Sequence, residues 1–204
     1  MIDLYTANTG NGQRAAIALE EAGLPYRVHK LDLMQGQQRE AAYRAVNPAG
    51  RIPCIVDPDG PEGPVTLSQS GAILIYAANR TGSLWPDNPA GRLAALEWLM
   101  FACTDAAPWS GLLFQAQHMM PERSPRNETY IQERLFRFLG EANARLAGRD
   151  YLAGSFSVAD VALYPVVALR REALGNAGGF ANLLDWAARV GVRPAIQRGM
   201  EACR

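Results

Sequence analysis

The fold of this chain is decided by the segment Arg51-Ile52-Pro53-Cys54-Ile55-Val56, which follows the loop Asn47-Pro48-Ala49-Gly50. Proline lacks the N–H that a sheet ladder needs, so Pro53 is typical of the first residue of a strand. A cis bond before Pro53 would turn the backbone N–H and C=O of Ile52 away from their own sheet. Those two groups could then pair with another extended backbone, as in strand addition.

The segment Ser68-Gln69-Ser70-Gly71 comes next, at the head of an apolar helix. The first N–H groups of a helix have no partner within the helix, and they lie at the positive end of its dipole. Such a terminus suits a carboxylate. A site that pairs with a peptide backbone and binds a carboxylate nearby is suited to a small acidic peptide.

Composition limits the function further. The chain has 204 residues, of which 49% are hydrophobic, enough for one large domain or two small ones with a sizeable core. Twenty basic and twenty acidic side chains cancel, so we expect neither a nucleic-acid partner nor a membrane partner. Three widely spaced cysteines indicate a reducing, cytoplasmic location rather than a disulfide framework. No Cys/His cluster has metal-ligand spacing, so no metal is expected.

The first 80 residues alternate strand and helix signals. Gly10-Asn11-Gly12 opens a helical pattern that Gly23 ends, and a turn from Pro58 to Pro64 joins two strands in a hairpin. The order βαβ, then α, then ββα predicts an α/β half with a four-stranded mixed sheet. The predicted strands are 2–5, 26–31, 53–57 and 65–67, and the later helices are 39–46 and 70–79.

Residues 81–89 have the Gly and Pro content of a linker, and beyond them almost every periodic segment is helical. We therefore predict an α/β domain over 1–80, a linker over 81–89 and an all-α domain over 90–204. Ser157 and Asp160 have the spacing of a capping box. The predicted helices cover 93–118, with a kink at Pro108, and 128–146, 157–169, 180–190 and 194–203.

Together these residues resemble a glutathione S-transferase, with a thioredoxin-like N-terminal domain and an all-α C-terminal domain. The resemblance covers essentially the whole chain and depends on Asn47-Pro48 through Pro53, the Gln69-Ser70 pair and the Ser157-x-x-Asp160 cap. The start, Tyr5-Thr6-Ala7-Asn8-Thr9-Gly10-Asn11-Gly12, is similar to the bacterial Nu-class branch, which resembles yeast nitrogen-regulator transferases and reduces disulfides with glutathione. The resemblance implies glutathione as co-substrate, a hydrophobic or disulfide second substrate, a homodimer and a cis Ile52–Pro53 bond.

The resemblance also implies catalytic roles. By position, Thr9 and Asn11 would face the glutathione sulfur and donate hydrogen bonds that favour the reactive thiolate. The alternative is that Asn11 only caps the first helix. Tyr5 is a rival sulfur ligand, although its place in the strand pattern favours a core position. Cys54 is expected to be a small buried hydrophobe rather than a nucleophile.

Glutathione itself would be bound by residues of three segments. Ile52 would offer its backbone beside Pro53, and Gln69 and Ser70 would take the glutamyl end, unless they only cap the helix. The remaining predicted contacts are Gln38, whose alternative is a solvated loop amide, and Arg51, which could steer an anionic peptide.

The chain departs from the Nu branch at one position. That branch has an arginine on a helix of the helical half that reaches glutathione, and Tyr130 stands there. Arg126 and Arg134, one turn away on either side, could substitute. Whether one or two glutathiones bind therefore stays open, and so does the choice between conjugation and disulfide or peroxide reduction. His29 and His118 have no partners in sequence and are expected to be structural. The alternative to an enzyme is a non-catalytic binding or regulatory protein on the same fold.

Overall fold

A mixed sheet forms the centre of the first of two units. The structure, a computed structural model, describes residues 1–204, and its first unit comprises Met1–Trp85 and Val192–Arg204. The strand order is β2-β1-β3-β4, with β1 and β2 parallel and the other pairs antiparallel. The elements of this unit are β1 (Ile2–Thr6), α1 (Gly10–Glu21), β2 (Tyr26–Lys30), α2 (Ala41–Val46), β3 (Cys54–Asp57), β4 (Val65–Ser68) and α3 (Ser70–Thr81).

The register of the sheet gathers three loops at one edge. Tyr5 of β1 pairs with Cys54 at the start of β3, and Cys54 pairs with Ser68 at the end of β4. The loop after β1, the residues before β3 and the start of α3 therefore leave the sheet together. The hairpin end of β3 and β4 is stabilised separately by Asp57, whose carboxylate accepts hydrogen bonds from Tyr76 at 2.6 Å and Arg80 at 2.8 Å.

The last helix of the chain packs in the first unit. Pro194–Ala202, named α9 in chain order, lies against α1, where a Cβ at Gly199 would come within 2.6 Å of the backbone of Ile17. Arg193 forms a bidentate ion pair with Glu21, with both N–O distances 2.7 Å. The sequence predicts one helical domain over 90–204, whereas the structure assigns the last helix to the first unit. The helical pattern of 194–203 carries no information about the distant helix against which it packs.

The second unit, Pro86–Gly191, is entirely helical. Its helices are α4 (Pro89–Met100), α5 (Ala107–His118), α6 (Pro125–Arg145), α7 (Val158–Ala177) and α8 (Ala181–Gly191). A π-helical segment, Phe101–Ala106, separates α4 from α5 immediately before the expected kink at Pro108. None of the helices is both long and apolar enough to span a membrane.

The capping box that opens α7 is confirmed. Ser157 accepts a hydrogen bond from the backbone of Ala159, and its own backbone N–H donates to Asp160 at 3.0 Å. The indole of Trp186 donates to the same carboxylate at 2.8 Å. The predicted fold class, a thioredoxin-like α/β half followed by an all-α region, is likewise confirmed by the element order and the sheet.

Candidate functional site

The loop between β1 and α1 ends at Thr9, which caps the helix. The Thr9 hydroxyl oxygen accepts from the backbone N–H of Gly12 at 3.1 Å, so its own proton is available to a second acceptor. Gly12 allows this close approach, because a Cβ there would collide with the carbonyl oxygen of Ala7 and the hydroxyl of Thr6. Thr9 is half-buried and therefore accessible at the first turn of α1.

Asn11 is exposed, and the hydrogen bonds of its side chain fix the orientation of its amide. Its Oδ1 accepts from Arg14 at 3.0 Å and from the Ser70 hydroxyl at 3.3 Å. The amide NH2 group has no partner within the chain and is available as a donor. The bond between Asn11 and Ser70 joins the start of α1 to the start of α3, residues 59 apart in sequence. The structure thus brings two predicted site residues into contact.

The backbone before β3 is held by two side chains. Tyr43 and Asn47 both donate to the carbonyl oxygen of Arg51, at 2.5 and 2.7 Å, and both are buried. The Ile52–Pro53 peptide bond is cis. Ile52 directly follows Arg51, and its backbone N–H and C=O make no hydrogen bond within the chain. The unpaired backbone groups of Ile52 thus lie directly beside a carbonyl group that Tyr43 and Asn47 hold in place.

The start of α3 has an unusual conformation at Gln69. This residue has φ +77°, in the left-handed region that favours glycine, and its side chain makes no capping hydrogen bond. Ser70 follows as the first helical residue and is buried. Gln69 occupies the N-cap position of α3, but no hydrogen bond of its side chain supports the alternative that it serves only as a cap. The N–H groups of the first turn have no partners within the helix.

Gln38 and Arg51 line a cavity of about 370 Å³ beside this backbone. The Gln38 amide makes one weak hydrogen bond, from Nε2 to the carbonyl oxygen of Leu33 at 3.5 Å. Its Oε1 atom is buried and has no partner. Arg51 is exposed. A loop amide in bulk water would have both groups hydrated, so Gln38 is not a simple solvated amide.

Tyr5 and Cys54 have different surroundings from the loop residues. The Tyr5 ring stacks on His29 with centroids 4.6 Å apart, and His29 Nε2 lies 2.7 Å from an oxygen of Asp3. His29 therefore interacts with both Tyr5 and Asp3, a pairing that the sequence did not indicate. Cys54 is buried in β3, and burial raises the pKa of its thiol to about 11, which makes it a poor nucleophile at neutral pH. The structure brings together no group of three His, Cys, Asp or Glu side chains that could hold a metal ion.

The helical unit carries Tyr130 and the two arginines that could substitute for the arginine of the Nu branch. Tyr130 packs edge-on against Trp109 and is 56% exposed, while Arg126 lies exposed in the first turn of α6. Arg134 is different: its guanidinium lies over the rings of Trp109 at 5.7 Å and Phe138 at 5.3 Å. Its Nε atom is buried without a partner, and the side chain forms no ion pair.

Sequence reasoning missed the residues that support the site. Tyr43 and Asn47 donate to the carbonyl oxygen of Arg51, and Arg14 donates to Asn11, over separations of three to eight residues. Hydrophobic periodicity does not show which side chain turns back to a nearby polar group. Arg14 is 1% exposed, and a charged side chain at an inward position of an apolar helix was the one available signal.

Known proteins resemble this chain closely. A family model described as the glutathione S-transferase N-terminal domain matches residues 11–80. The disulfide-bond oxidoreductase YfcG of Escherichia coli strain K12 is 34% identical over 203 residues, covering 98% of this chain and 94% of the relative.

Two solved structures superpose well on the chain. One is a Pseudomonas putida glutathione transferase with one glutathione disulfide bound per subunit, with a TM-score of 0.91, 32% identity and coverage of 98% of this chain and 90% of that one. The other is a Burkholderia graminis glutathione transferase with two glutathione molecules bound per subunit, with a TM-score of 0.91, 35% identity and coverage of 98% and 87%.

Proposed function

Because this chain belongs to the glutathione S-transferase family, we propose that its first unit binds glutathione and activates the thiol for attack on a disulfide or another electrophile. The observation that carries the proposal is the contact between Asn11 and Ser70, which joins the two loops expected to bind the sulfur and the glutamyl group. Glutathione is the co-substrate.

Thr9 and Asn11 act on the sulfur. The thiolate is the reacting form, and a free thiol with a pKa of about 8.5 is mostly protonated at neutral pH. The Thr9 hydroxyl and the Asn11 amide NH2 both have a free donor hydrogen at the N-terminus of α1. Each hydrogen bond to the anion contributes about 1.5–3 kcal/mol, equivalent to about one or two pKa units.

The peptide portion of glutathione binds along the edge where the three loops meet. Its cysteinyl backbone pairs with the N–H and C=O of Ile52, ahead of Pro53. Its glutamyl carboxylate accepts hydrogen bonds from Ser70 and from the first N–H groups of α3, while Gln69 contacts the glutamyl amine. The glycyl end extends toward Gln38 and Arg51, because an antiparallel peptide runs toward residues that precede Ile52.

For a disulfide substrate the reaction follows from the bound thiolate. It attacks one sulfur, a new S–S bond forms, and the other sulfur leaves as a thiolate that takes a proton from water. A second glutathione thiolate then attacks the mixed disulfide, which releases glutathione disulfide and the second product thiol. Cys54 does not supply a thiol for this exchange, since it is buried with a raised pKa.

Arg134 is our candidate for binding a carboxylate of the second glutathione, in place of the arginine that Tyr130 replaces. Its planar guanidinium lies over two aromatic rings and has no acidic partner, which supports this choice over the exposed Arg126. Calorimetry should show the stoichiometry falling from two glutathiones to one in Arg134→Gln. Arg137→Gln, a change of the same type at an exposed position of α6, should bind two; equal stoichiometry in both variants would contradict the assignment.

We also propose a cytoplasmic homodimer. Leu93, Leu96 and Met100 recur on one face of α4 and are 69%, 36% and 45% exposed. An apolar stripe of this spacing is suited to a second copy of the chain. Sedimentation of Leu93→Glu combined with Met100→Glu should show monomers, whereas the unmodified chain should sediment as a dimer.

Calorimetry and an assay panel test the main proposal. We expect glutathione binding at millimolar concentration or tighter, and turnover with at least one of a chloronitrobenzene, a small organic disulfide and an organic hydroperoxide. Absence of binding of both glutathione and its disulfide would refute the proposal. Binding without any turnover would favour the non-catalytic alternative.

A further inference from the structure

We infer that the cavity beside Arg51 selects glutathione-type peptides that carry an additional acidic group beyond the glycyl residue. The inference rests on the proposed function, because it assigns the glycyl end of the bound peptide to this side of the site. It concerns substrate class: the cavity prefers an acidic peptide longer than the tripeptide, and it disfavours a peptide with a cationic extension.

The side chains that line the cavity carry an excess of positive charge. The cavity is lined by Arg39, Arg44 and Arg51, together with Gln38 and the turn Pro48-Ala49-Gly50. None of the three arginines forms an ion pair. Most other arginines of the same unit do have a carboxylate partner, namely Arg27, Arg80, Arg193, Arg198 and Arg204. The cavity therefore concentrates unpaired positive charge.

The arginines of the cavity outnumber the carboxylates that a bound tripeptide brings to it. A bound tripeptide brings one glycyl carboxylate, which can form a bidentate pair with one guanidinium. Two of the three arginines would then still lack an anionic partner. A further carboxylate on the ligand supplies that partner, and a ligand cation would instead be repelled.

The cavity is larger than a glycyl residue requires. Ligand cavities commonly have volumes of about 300–1,000 Å³, and this one, at about 370 Å³, has room for roughly twelve waters at about 30 Å³ each. A glycyl residue with its carboxylate has only a handful of non-hydrogen atoms. The volume that remains accommodates another small residue.

Hydrogen bonds within the chain hold the wall of the cavity in a fixed shape. The carbonyl oxygen of Arg51 is fixed by Tyr43 and Asn47, and the backbone N–H of Gly50 donates to the carbonyl oxygen of Asn47 at 2.9 Å. Gly50 has φ +60°, and a Cβ there would come within 2.7 Å of the carbonyl oxygen of Gln38. The wall thus has a fixed shape, one residue away from the backbone of Ile52 that pairs with the ligand.

Three peptides measured by calorimetry test the inference: glutathione, glutathione extended at glycine by glutamate, and glutathione extended by glutamine. The last two have the same length and differ in one charge. We expect the glutamate peptide to bind the unmodified chain about threefold to tenfold tighter than the glutamine peptide, with a smaller ratio at high salt. The combined variant Arg39→Gln and Arg44→Gln should reduce the ratio to about one, while Arg204→Gln, which removes the same charge outside the cavity, should keep it.

The possible results distinguish a failure of this inference from a failure of the proposed function. Equal affinities of the two extended peptides for the unmodified chain, or a ratio that persists in the double variant, would overturn the inference while glutathione binding upholds the proposed function. A chain that binds none of the three peptides would refute the proposed function itself. Retained binding of the glutamine peptide by the double variant shows that the variant is folded.

Discussion

Replacing Asn11 by aspartate separates hydrogen-bond donation to the sulfur from the structural role of this side chain. In Asn11→Asp the oxygen that accepts from Arg14 and Ser70 is kept, and the amide NH2 group becomes a carboxylate oxygen. The loop therefore keeps its two contacts. The bound thiolate loses one donor and gains a neighbouring negative charge.

The magnitude follows from these two changes. A lost hydrogen bond to a charged group costs about 1.5–3 kcal/mol, and the exposed carboxylate adds a repulsion of about 1 kcal/mol at a separation of about 4 Å in water. At 1.36 kcal/mol per unit, the sum of about 2.5–4 kcal/mol should raise the pKa of the bound thiol by about two to three units. Below the pKa of the thiol in the unmodified complex, the thiolate fraction, and with it kcat/KM, should fall about 100-fold to 1,000-fold. Activity should recover as the pH rises above the new pKa.

The assay is the pH profile of kcat/KM, together with a titration of the bound thiol by its ultraviolet absorbance. Asn8→Asp is the matched control, because Asn8 is exposed in the same loop and its oxygen accepts from Gln13 at 3.0 Å. We expect it to change the rate by less than about threefold. An unmoved acid limb in Asn11→Asp, or an equal shift in Asn8→Asp, would refute the role of the Asn11 amide.

Three further predictions concern stability. Asp160→Asn places an NH2 group where the backbone N–H of Ser157 now donates, so the Tm should fall by about 3–10 °C in calorimetry. Burial raises the pKa of Asp160 to about 6 despite four hydrogen bonds to its carboxylate. The native state thus keeps a proton that the unfolded state loses, and stability should decline between pH 3.8 and about 6 in the unmodified chain but not in the variant. The pKa of Asp57 lies below 3.8. Burial by itself would raise this pKa, but hydrogen bonds from a tyrosine, a backbone N–H and an arginine outweigh burial. Its contribution should be present above pH 3.8 and lost at lower pH in urea unfolding, and a profile for Asp57→Asn that matches the unmodified chain would contradict this. Gly199→Ala should cost about 1–3 kcal/mol because a Cβ collides with α1, whereas Gly175→Ala in α7 has free space and should not destabilise; similar urea midpoints for both would contradict the packing argument.

Much of the fold follows from local pattern. Pro53 marks the start of β3 because proline cannot join a ladder, Gly23 follows α1, and Ser157 with Asp160 opens α7 through hydrogen bonds between residues three apart. These features depend on neighbours in sequence, so the amino-acid order alone specifies them. The roles of Thr9 and Asn11 toward sulfur stay predictions that the pH profile can test.

Tertiary structure decided what depends on residues far apart in the chain. The sequence marks 194–203 as a helix, but only the folded chain shows Gly199 against Ile17 and thereby assigns that helix to the first unit. In the same way, the hydrogen bond from Ser70 to Asn11 and the unpaired arginines around one cavity arise from the meeting of separate loops. Periodicity reports which face of an element is apolar, whereas the partner of that face is selected by the packing of the whole chain.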